Sequence, residues 1–364
     1  MSAMRAFIHQ PHPSRVIFGA GALQQLSAEV ERLGARRALV LATPEQRGAA
    51  DAVAALLGGR AAGVYARAVM HVPVEVAREA RTEAARLGAD CAVAVGGGST
   101  TGLAKAIALE SALPIIAVPT TYAGSEVTPI WGLTEGGVKK TGRDARVLPR
   151  TVIYDPELTL GLPLAMTVTS AFNAIAHAAE GLYAPDVNPV IALMAEEGIR
   201  ASAAALPPLL RDGRDLAARS DALYGAWLCG TVLGAITMGL HHKLCHTLGG
   251  TFNLPHADTH TVVLPHALAY NAAAAPQAMA RVARAQGVAE ADAADPLAAA
   301  RALHGLAQQL GAPTSLARLG MPAEGLDRAA DLAVSAPYPN PRPLERAALR
   351  ALLQRAYDGS APAA

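Results

Sequence analysis

The chain changes its pattern once, at Asp155-Pro156, and that change bounds the folds open to it. Before it, short apolar β-rich runs alternate with longer stretches of helical periodicity. Arg37 to Ala42, Cys91 to Val95, Pro114 to Val118 and Thr151 to Tyr154 read as buried strands. Glu75 to Leu87 repeats its apolar residues at helical spacing, and Ser99 to Ser111 opens with hydroxyl residues suited to a helix N-terminus. Strands alternating with helices predict a parallel, doubly wound sheet. After Pro156 the strand signals fade into Ala- and Leu-rich segments, with breaks expected at Pro185, Pro207-Pro208, Pro255 and Pro276. Alanine is the best helix former and small residues let helices approach closely, so this half predicts a helical bundle. The expectation is an α/β domain over residues 1–155 and an all-α domain over residues 156–364.

Composition narrows the function. Hydrophobic residues at 52% and charged residues at 17% suit a globular chain with substantial cores. Lys+Arg 31 against Asp+Glu 30 leaves a net charge of +1, so no bulk field draws nucleic acid or an anionic membrane. The three cysteines, Cys91, Cys229 and Cys245, have no CxxC spacing and are too few for a disulfide framework, which matches a reducing compartment. The N-terminal residues lack the apolar core of a signal peptide, and no apolar run reaches the roughly 18 residues of a spanning helix. A cytoplasmic protein without nucleic-acid or membrane partners is expected.

Two loops point to a dinucleotide. The strand ending at Val95 runs into Gly96-Gly97-Gly98-Ser99, followed directly by a helix. Glycines at a strand-to-helix turn let backbone N–H groups approach a pyrophosphate, and the helix N-terminus adds favourable partial charge. The run is neither GxGxxG nor a P-loop, because Lys105 stands seven residues beyond the last glycine. Alone, such a turn is also what an ordinary tight turn looks like. The second loop, holding Thr120, Thr121, Tyr122, Gly124 and Ser125, follows the next strand, so both loops should meet at the carboxyl edge of adjacent strands. Thr43 stands at the end of the first clear strand, where an acidic residue would hold the ribose 2′-hydroxyl of NAD, so no exclusive choice of NADH over NADPH is indicated.

The helical half carries a cluster of histidines. Asn173 and His177 are four apart and share one helix face. His242 and His246 repeat that spacing, and a turn at Gly249-Gly250 is expected to bring the chain back to His256. Six of the eleven histidines fall between residues 241 and 266. A single histidine is more often satisfied or exposed than functional, but His177, His242, His246 and His256 together are candidates for chemistry. His260 and His266 read as structural, and His241 should point about 100° away from His242 on a helix.

The ordered combination of these segments resembles the iron-containing alcohol dehydrogenase family, and within it the maleylacetate reductase branch. The residues that carry the resemblance run from Val16 to Gly21, through GGGSTTGLAKAIAL and PTTYAGSEVTPIWGLTEGGVKKTGRDARVLPRTVIYDPELT, to MGLHHKLCHTLGGTFNLPHADTH and Pro339 to Pro343. The resemblance implies a dehydroquinate synthase-like fold, a nucleotide-binding α/β domain, a helical domain, and an active site in the cleft between them. It implies NADH or NADPH as cofactor, with Gly96, Gly97, Gly98 and Ser99 on the pyrophosphate. Thr120, Thr121 and Ser125 would line the nicotinamide or ribose, with Lys139 or Lys140 reaching the ribose. In metal-using members an Asp and three His hold a divalent ion, at positions matching Asn173, His177, His242 and His256. Asn173 departs from that pattern, since an amide oxygen is a neutral and weaker ligand, so bound metal is expected to be dispensable. Gly102 is a second departure, where many family dehydrogenases have an acidic residue.

The branch implies reduction of the alkene of 2-maleylacetate to 3-oxoadipate in aromatic-compound degradation. Charge then develops on the ketone oxygen as an enolate, and a proton must reach the adjacent carbon, needs that His242 and His246 would meet. The dicarboxylate calls for positive or hydrogen-bonding partners, for which Arg143, Lys243, Arg342, Tyr122 and Asn173 are candidates. A homodimer is expected from the family. The alternatives are a metal-dependent alcohol dehydrogenase acting on an aldehyde or ketone, and a non-catalytic nucleotide- or metal-binding protein.

Overall fold

The computed structural model describes residues 7–11, 14–136 and 138–364, and within them the chain packs as two compact units. One unit draws on His12–Pro163 with Arg211–Leu223, the other on Leu164–Leu210 with Tyr224–Ala364.

The first unit is built on a six-stranded parallel sheet of β1 (Arg15–Phe18), β2 (Ala38–Leu41), β3 (Ala61–Tyr65), β4 (Cys91–Gly96), β5 (Ile115–Pro119) and β8 (Thr151–Tyr154), in the order β1-β8-β5-β4-β2-β3. Its helices are α1 (Leu26–Arg32), α2 (Arg47–Leu57), α3 (Val74–Arg86) and α4 (Gly98–Ser111). A separate antiparallel hairpin pairs β6 (Ile130–Glu135) with β7 (Val138–Arg143). The strands β2, β4, β5 and β8 lie fully buried, as unbroken apolar runs in a two-sided parallel sheet require. From β2 the chain continues to β3 on one side, and from β4 to β5 on the other, so the order reverses between the paired strands β2 and β4. That reversal opens the crevice where such sheets take ligands. The doubly wound sheet agrees with the sequence reading, whereas β1, β3 and the hairpin are strands that it did not find.

The second unit holds α5 (Leu164–Gly181), most of α6 (Pro189–Arg211) and of α7 (Leu216–Ala235), α8 (Leu240–Phe252), α9 (His256–Asn271), α10 (Pro276–Ala285), α11 (Glu290–Ala293), α12 (Ala298–Gln309), α13 (Gly325–Val334) and α14 (Arg346–Asp358). No strand follows Tyr154 among the described residues. α9 packs on α5 and α8, which brings the histidine-bearing helices together. Two local expectations need correcting. Pro207 and Pro208 lie inside α6, in its last turns, where few further backbone bonds are left to lose. Gly249 and Gly250 lie inside α8, and the reversal is made by Asn253, whose φ of 53° is left-handed, followed by Leu254 and Pro255. Asn tolerates that conformation better than most residues, and Pro255 then sets up the first turn of α9.

The edge strand β1 is tied down by Glu29 of α1. Its carboxylate accepts from Arg15 Nε at 3.1 Å, Arg32 Nε at 2.8 Å and the Thr151 hydroxyl at 3.0 Å. Burial pushes its pKa up, but hydrogen bonds from Arg32 and Thr151, with the charges of Arg32 and Arg15, hold it below its ordinary 4.5. A carboxyl with a lowered folded-state pKa contributes stability above its ordinary range and loses it as pH falls through the folded value. Denaturation of wild type and Glu29→Gln across a pH series should therefore show a deficit for the variant near neutral pH that closes in acid. A deficit that persists unchanged in acid would contradict this role.

Candidate active site

The carboxyl edge of β4 and β5 forms a glycine-lined cradle. Gly96 ends β4 with φ of 148°, and a Cβ there would lie 2.5 Å from Gln46 Oε1 and 2.6 Å from Thr100 Oγ1. A Cβ on Gly97 would come within 2.9 Å of Thr121 Oγ1, so the two loops abut where only glycine fits. Gln46 Nε2 donates to Thr120 Oγ1 at 2.7 Å, and Thr120 N to Gly96 O at 3.1 Å, linking the ends of β2, β4 and β5. Gly98 and Ser99 begin α4, whose N-terminus has no side-chain cap, the condition in which first-turn amides are available to an anion. This arrangement fits a dinucleotide pyrophosphate. Thr43 stands half-buried beyond β2 as the N-cap of a short 3-10 turn.

Lys105, which the sequence reading set aside as misplaced for a P-loop, braces the second loop from below. Its fully buried Nζ donates to Ser125 O at 2.6 Å, Thr128 O at 2.8 Å, Thr128 Oγ1 at 2.9 Å and Ile130 O at 2.8 Å, with Ser125 Oγ at 3.2 Å. Burial pushes its pKa down to about 7, opposed by the charge of Glu126. A cage made only of acceptor oxygens favours the ammonium form. Glu126, raised by burial, accepts from the Tyr154 hydroxyl at 2.8 Å. A structural reason for Gly102 is also visible: a Cβ there would lie 2.8 Å from Val72 Cγ2.

The helical unit gathers the histidines. On α5, Asn173, His177 and Glu180 follow at spacings of four and three, one buried stripe of a helix. His177 Nδ1 and His242 Nε2 are hydrogen-bonded at 2.8 Å, and Asn173 Nδ2 lies 3.3 Å from His177 Nε2. His242 Nδ1 meets Glu180 Oε2 at 2.5 Å. In the tautomer whose Nδ1–H donates to the Glu180 carboxylate, His242 presents Nε2 as an acceptor, His177 donates to it from Nδ1, and His177 Nε2 accepts from the Asn173 amide. The chain of donors runs one way, from Asn173 to Glu180. His246 is exposed and His256 half-buried, with ring centroids 6.5 Å apart, and His242 and His246 centroids are 6.4 Å apart.

His260, read from sequence as structural, sits among these rings, with centroids 4.4 Å from His256 and 5.0 Å from His242. His241 is hydrogen-bonded to His260 at 2.9 Å, and its ring centroid lies 5.1 Å from that of His242. With Cys245 these two form a buried trio whose ligand atoms lie within 4.8 Å of one another. Burial and the neighbouring imidazoles push His241 and His260 well below their ordinary pKa, so both are neutral. Glu180 is the residue that sequence reasoning missed. Its position three residues after His177 on the same face was the available signal.

The remaining candidates are dispersed. Tyr122 is fully buried, and its hydroxyl accepts from Arg219 Nη1 at 3.2 Å. Lys139, Lys140 and Arg143 lie on β7 with exposed side chains, Lys140 paired with Glu135 at 2.9 Å. Lys243 is exposed on α8 above the Tyr338 ring, and the Arg342 guanidinium stacks on Tyr270 at 4.2 Å while donating to Tyr270 O.

Residues 13–156 match the family model for iron-containing alcohol dehydrogenase, and residues 167–357 match that for the C-terminal part of the same family. The chain belongs to the iron-containing alcohol dehydrogenase family. It is an oxidoreductase of the NAD(P)-dependent kind that defines this group. It is 69% identical over 99% of its length to the whole of the maleylacetate reductase of Burkholderia cepacia. Among solved structures it is similar to a putative alcohol dehydrogenase from Ralstonia eutropha JMP134, with a TM-score of 0.96 and 66% identity, covering 98% of this chain and 99% of that one. A maleylacetate reductase from Agrobacterium tumefaciens gives a TM-score of 0.93 and 54% identity, over 99% of this chain and all of the other.

The family name raises the question of iron. The four matching positions, Asn173, His177, His242 and His256, do not fit a divalent ion as arranged here. Two nitrogens on one tetrahedral ion sit ~3.4 Å apart with both lone pairs turned to the metal. The facing nitrogens of His177 and His242 are closer, at 2.8 Å, and share a proton instead. Asn173 supplies no charge to offset that of the ion.

The Lys105 brace generates a measurable expectation. Lys105→Met withdraws the ammonium donor from Thr128 O and Ile130 O and from Ser125 O, which keeps only Thr128 N and Oγ1, each buried oxygen left unpaired costing about 1–3 kcal/mol. Nucleotide titration followed by fluorescence should give a Kd raised at least about tenfold, together with a lowered Tm. Unaltered nucleotide affinity would show that the loop holds its shape without the lysine.

Proposed function

We propose that this oxidoreductase reduces the alkene of maleylacetate to give 3-oxoadipate, consuming one NAD(P)H and one proton. The observation that carries this reading is the 69% identity, over 99% of the chain, to a protein named maleylacetate reductase. The nucleotide would be held by the amides at the start of α4, with Thr120, Thr121 and Ser125 of the second loop beside it and Thr43 towards the ribose. When bound it supplies the hydride that reaches the alkene carbon β to the ketone.

The chain's own residues have two further tasks. A donor must stabilise the enolate oxygen, and a proton must be delivered to the α carbon. His242 and His246 are assigned these tasks, with His177 and His256 as the neighbouring rings that orient them. Nδ1 of His242 is committed to Glu180, so His242 meets the enolate oxygen as an imidazolium whose Nε2 has left His177 and taken up a proton, and the exposed His246 suits exchange of a proton. Lys243, next to His242 and exposed, is the preferred partner for one substrate carboxylate; Arg342 already spends its guanidinium on Tyr270. The reaction requires no metal in this reading, because the imidazoles provide both polarisation and proton. The working protein is a cytoplasmic homodimer that recognises a small dicarboxylate.

The test is oxidation of NADH and of NADPH with freshly generated maleylacetate, before and after exhaustive chelation, with bound metal counted in the same preparation. Chelator-resistant turnover to 3-oxoadipate is expected. Turnover restored only by Fe2+ or Zn2+, or reduction confined to simple aldehydes and ketones, would replace this reading by that of a metal-dependent alcohol dehydrogenase. His242→Gln and His246→Gln should each lower kcat at least about 100-fold while nucleotide Kd stays at the wild-type value.

A further inference from the structure

Helix α8 begins without a cap of its own. Its N-cap is Gly239, which has no side chain, and its first turn holds no acidic residue. The orphan amides are instead met by a carboxylate from α5: Glu180 Oε1 accepts from His241 N at 2.8 Å and Oε2 from His242 N at 3.4 Å. The same Oε2 accepts from His242 Nδ1 at 2.5 Å. Gly239 makes this possible, since a Cβ there would lie 3.2 Å from Glu180 Oε1 and 2.9 Å from Pro339 O. On its other side the carboxylate borders a cavity of about 230 Å3 lined by Tyr183, Thr237, Pro339 and Asn340. Burial and the nearby Glu180 raise the Tyr183 pKa well above its ordinary value, so that wall carries a neutral hydroxyl.

We propose that Glu180 is the positioning residue of the active site: it holds His242 in the Nδ1–H tautomer, with Nε2 turned to His177, and locks that ring to the first turn of α8. The proposal rests on the reading of His242 as a residue that acts on substrate. One carboxylate thus sets both where the helix starts and which nitrogen of His242 carries the proton. The tautomer of His242 in turn sets that of His177, because two rings sharing one hydrogen bond cannot both donate or both accept.

Glu180→Gln separates these roles. The amide oxygen can still accept from the backbone of α8, but only one of the two terminal atoms is now an acceptor. With the amide nitrogen facing His242, Nδ1 must become the acceptor, Nε2 takes the proton, and the donor chain through His177 reverses. The expected result is a fall in kcat of about 10- to 100-fold, with nucleotide Kd and Tm near wild type. Glu180→Asp, which keeps the two acceptors on a shorter stem, should recover part of the loss. A variant with wild-type kcat, or one whose nucleotide affinity falls in step with kcat, would overturn the proposal.

A second measurement needs no altered Glu180. In 15N-histidine-labelled protein, long-range 1H–15N correlation identifies the tautomer of each ring, and His242→Gln assigns the signal. His242 protonated at Nδ1 is expected, and at Nε2 would refute the proposal. This readout stands even if the wild-type protein fails to reduce maleylacetate, so failure of the functional reading and failure of the positioning role are distinguishable.

Discussion

A carboxylate in an apolar helical bundle is costly unless it is hydrogen-bonded, and the Glu180 side chain is met by three donors of α8 that it reaches only once α5 and α8 are in place. The dependence is mutual. Without the carboxylate, the first amides of α8 are orphaned beside a glycine that has nothing to offer them. Without α8, the carboxylate lacks its donors. Histidine positions that would be loosely held on a single helix are therefore fixed by a contact between two helices, which is how a site retains a defined ring orientation within ordinary side-chain mobility.

The α/β unit uses the opposite sign for a similar purpose. There the buried charge is the Lys105 ammonium, and the groups it organises are carbonyl and hydroxyl oxygens of the loop from Ser125 to Ile130. Seen against the glycines of the first loop, the logic is complementary. Gly96 and Gly97 remove side-chain volume so that Thr121 and Gln46 can approach, and Lys105 supplies a fixed centre on which the second loop folds. A nucleotide-binding edge made from two loops needs both features: room for close backbone approach, and a rigid reason for the second loop to remain in place.

Much of this was legible in the chain, and the failures have physical causes. The central strands were readable because a doubly covered parallel sheet demands unbroken apolar runs, which β4 and β5 supply. β3, with its small residues and half-buried pattern, and the half-buried strand β6 lack that signal. The helical half was legible from alanine content, and the i, i+4 pairs Asn173–His177 and His242–His246 from spacing alone. Gly249-Gly250 misled because glycine marks turns only where the backbone needs an unusual φ, and here Asn253 meets that need. Glu180 was hidden for a different reason. A carboxylate in a helix is normally solvated, so its place on the His177 face carries weight only once the fold shows that a glycine 59 residues later leaves two amides for it to cap. Lys105 was hidden in the same way, since its partners come from the neighbouring loop.

The exchange of carboxylate for amide at position 173 acquires a sharper meaning in this setting. With Glu180 taking the proton on His242 Nδ1, the Nε2 lone pair of His242 faces His177. A carboxylate at 173 would demand N–H from His177 Nε2, leaving the Nδ1 of a neutral His177 as a second lone pair aimed at the first. Two facing lone pairs in a buried site repel each other unless an additional proton or a cation lies between them. The Asn173 amide removes that demand, because it donates to His177 Nε2 and frees Nδ1–H to satisfy His242. The donor chain then closes on protein groups alone. The same four side-chain positions can thus pose two different electrostatic problems, and the polarity of one group at the start of the chain decides which of them the histidines must solve.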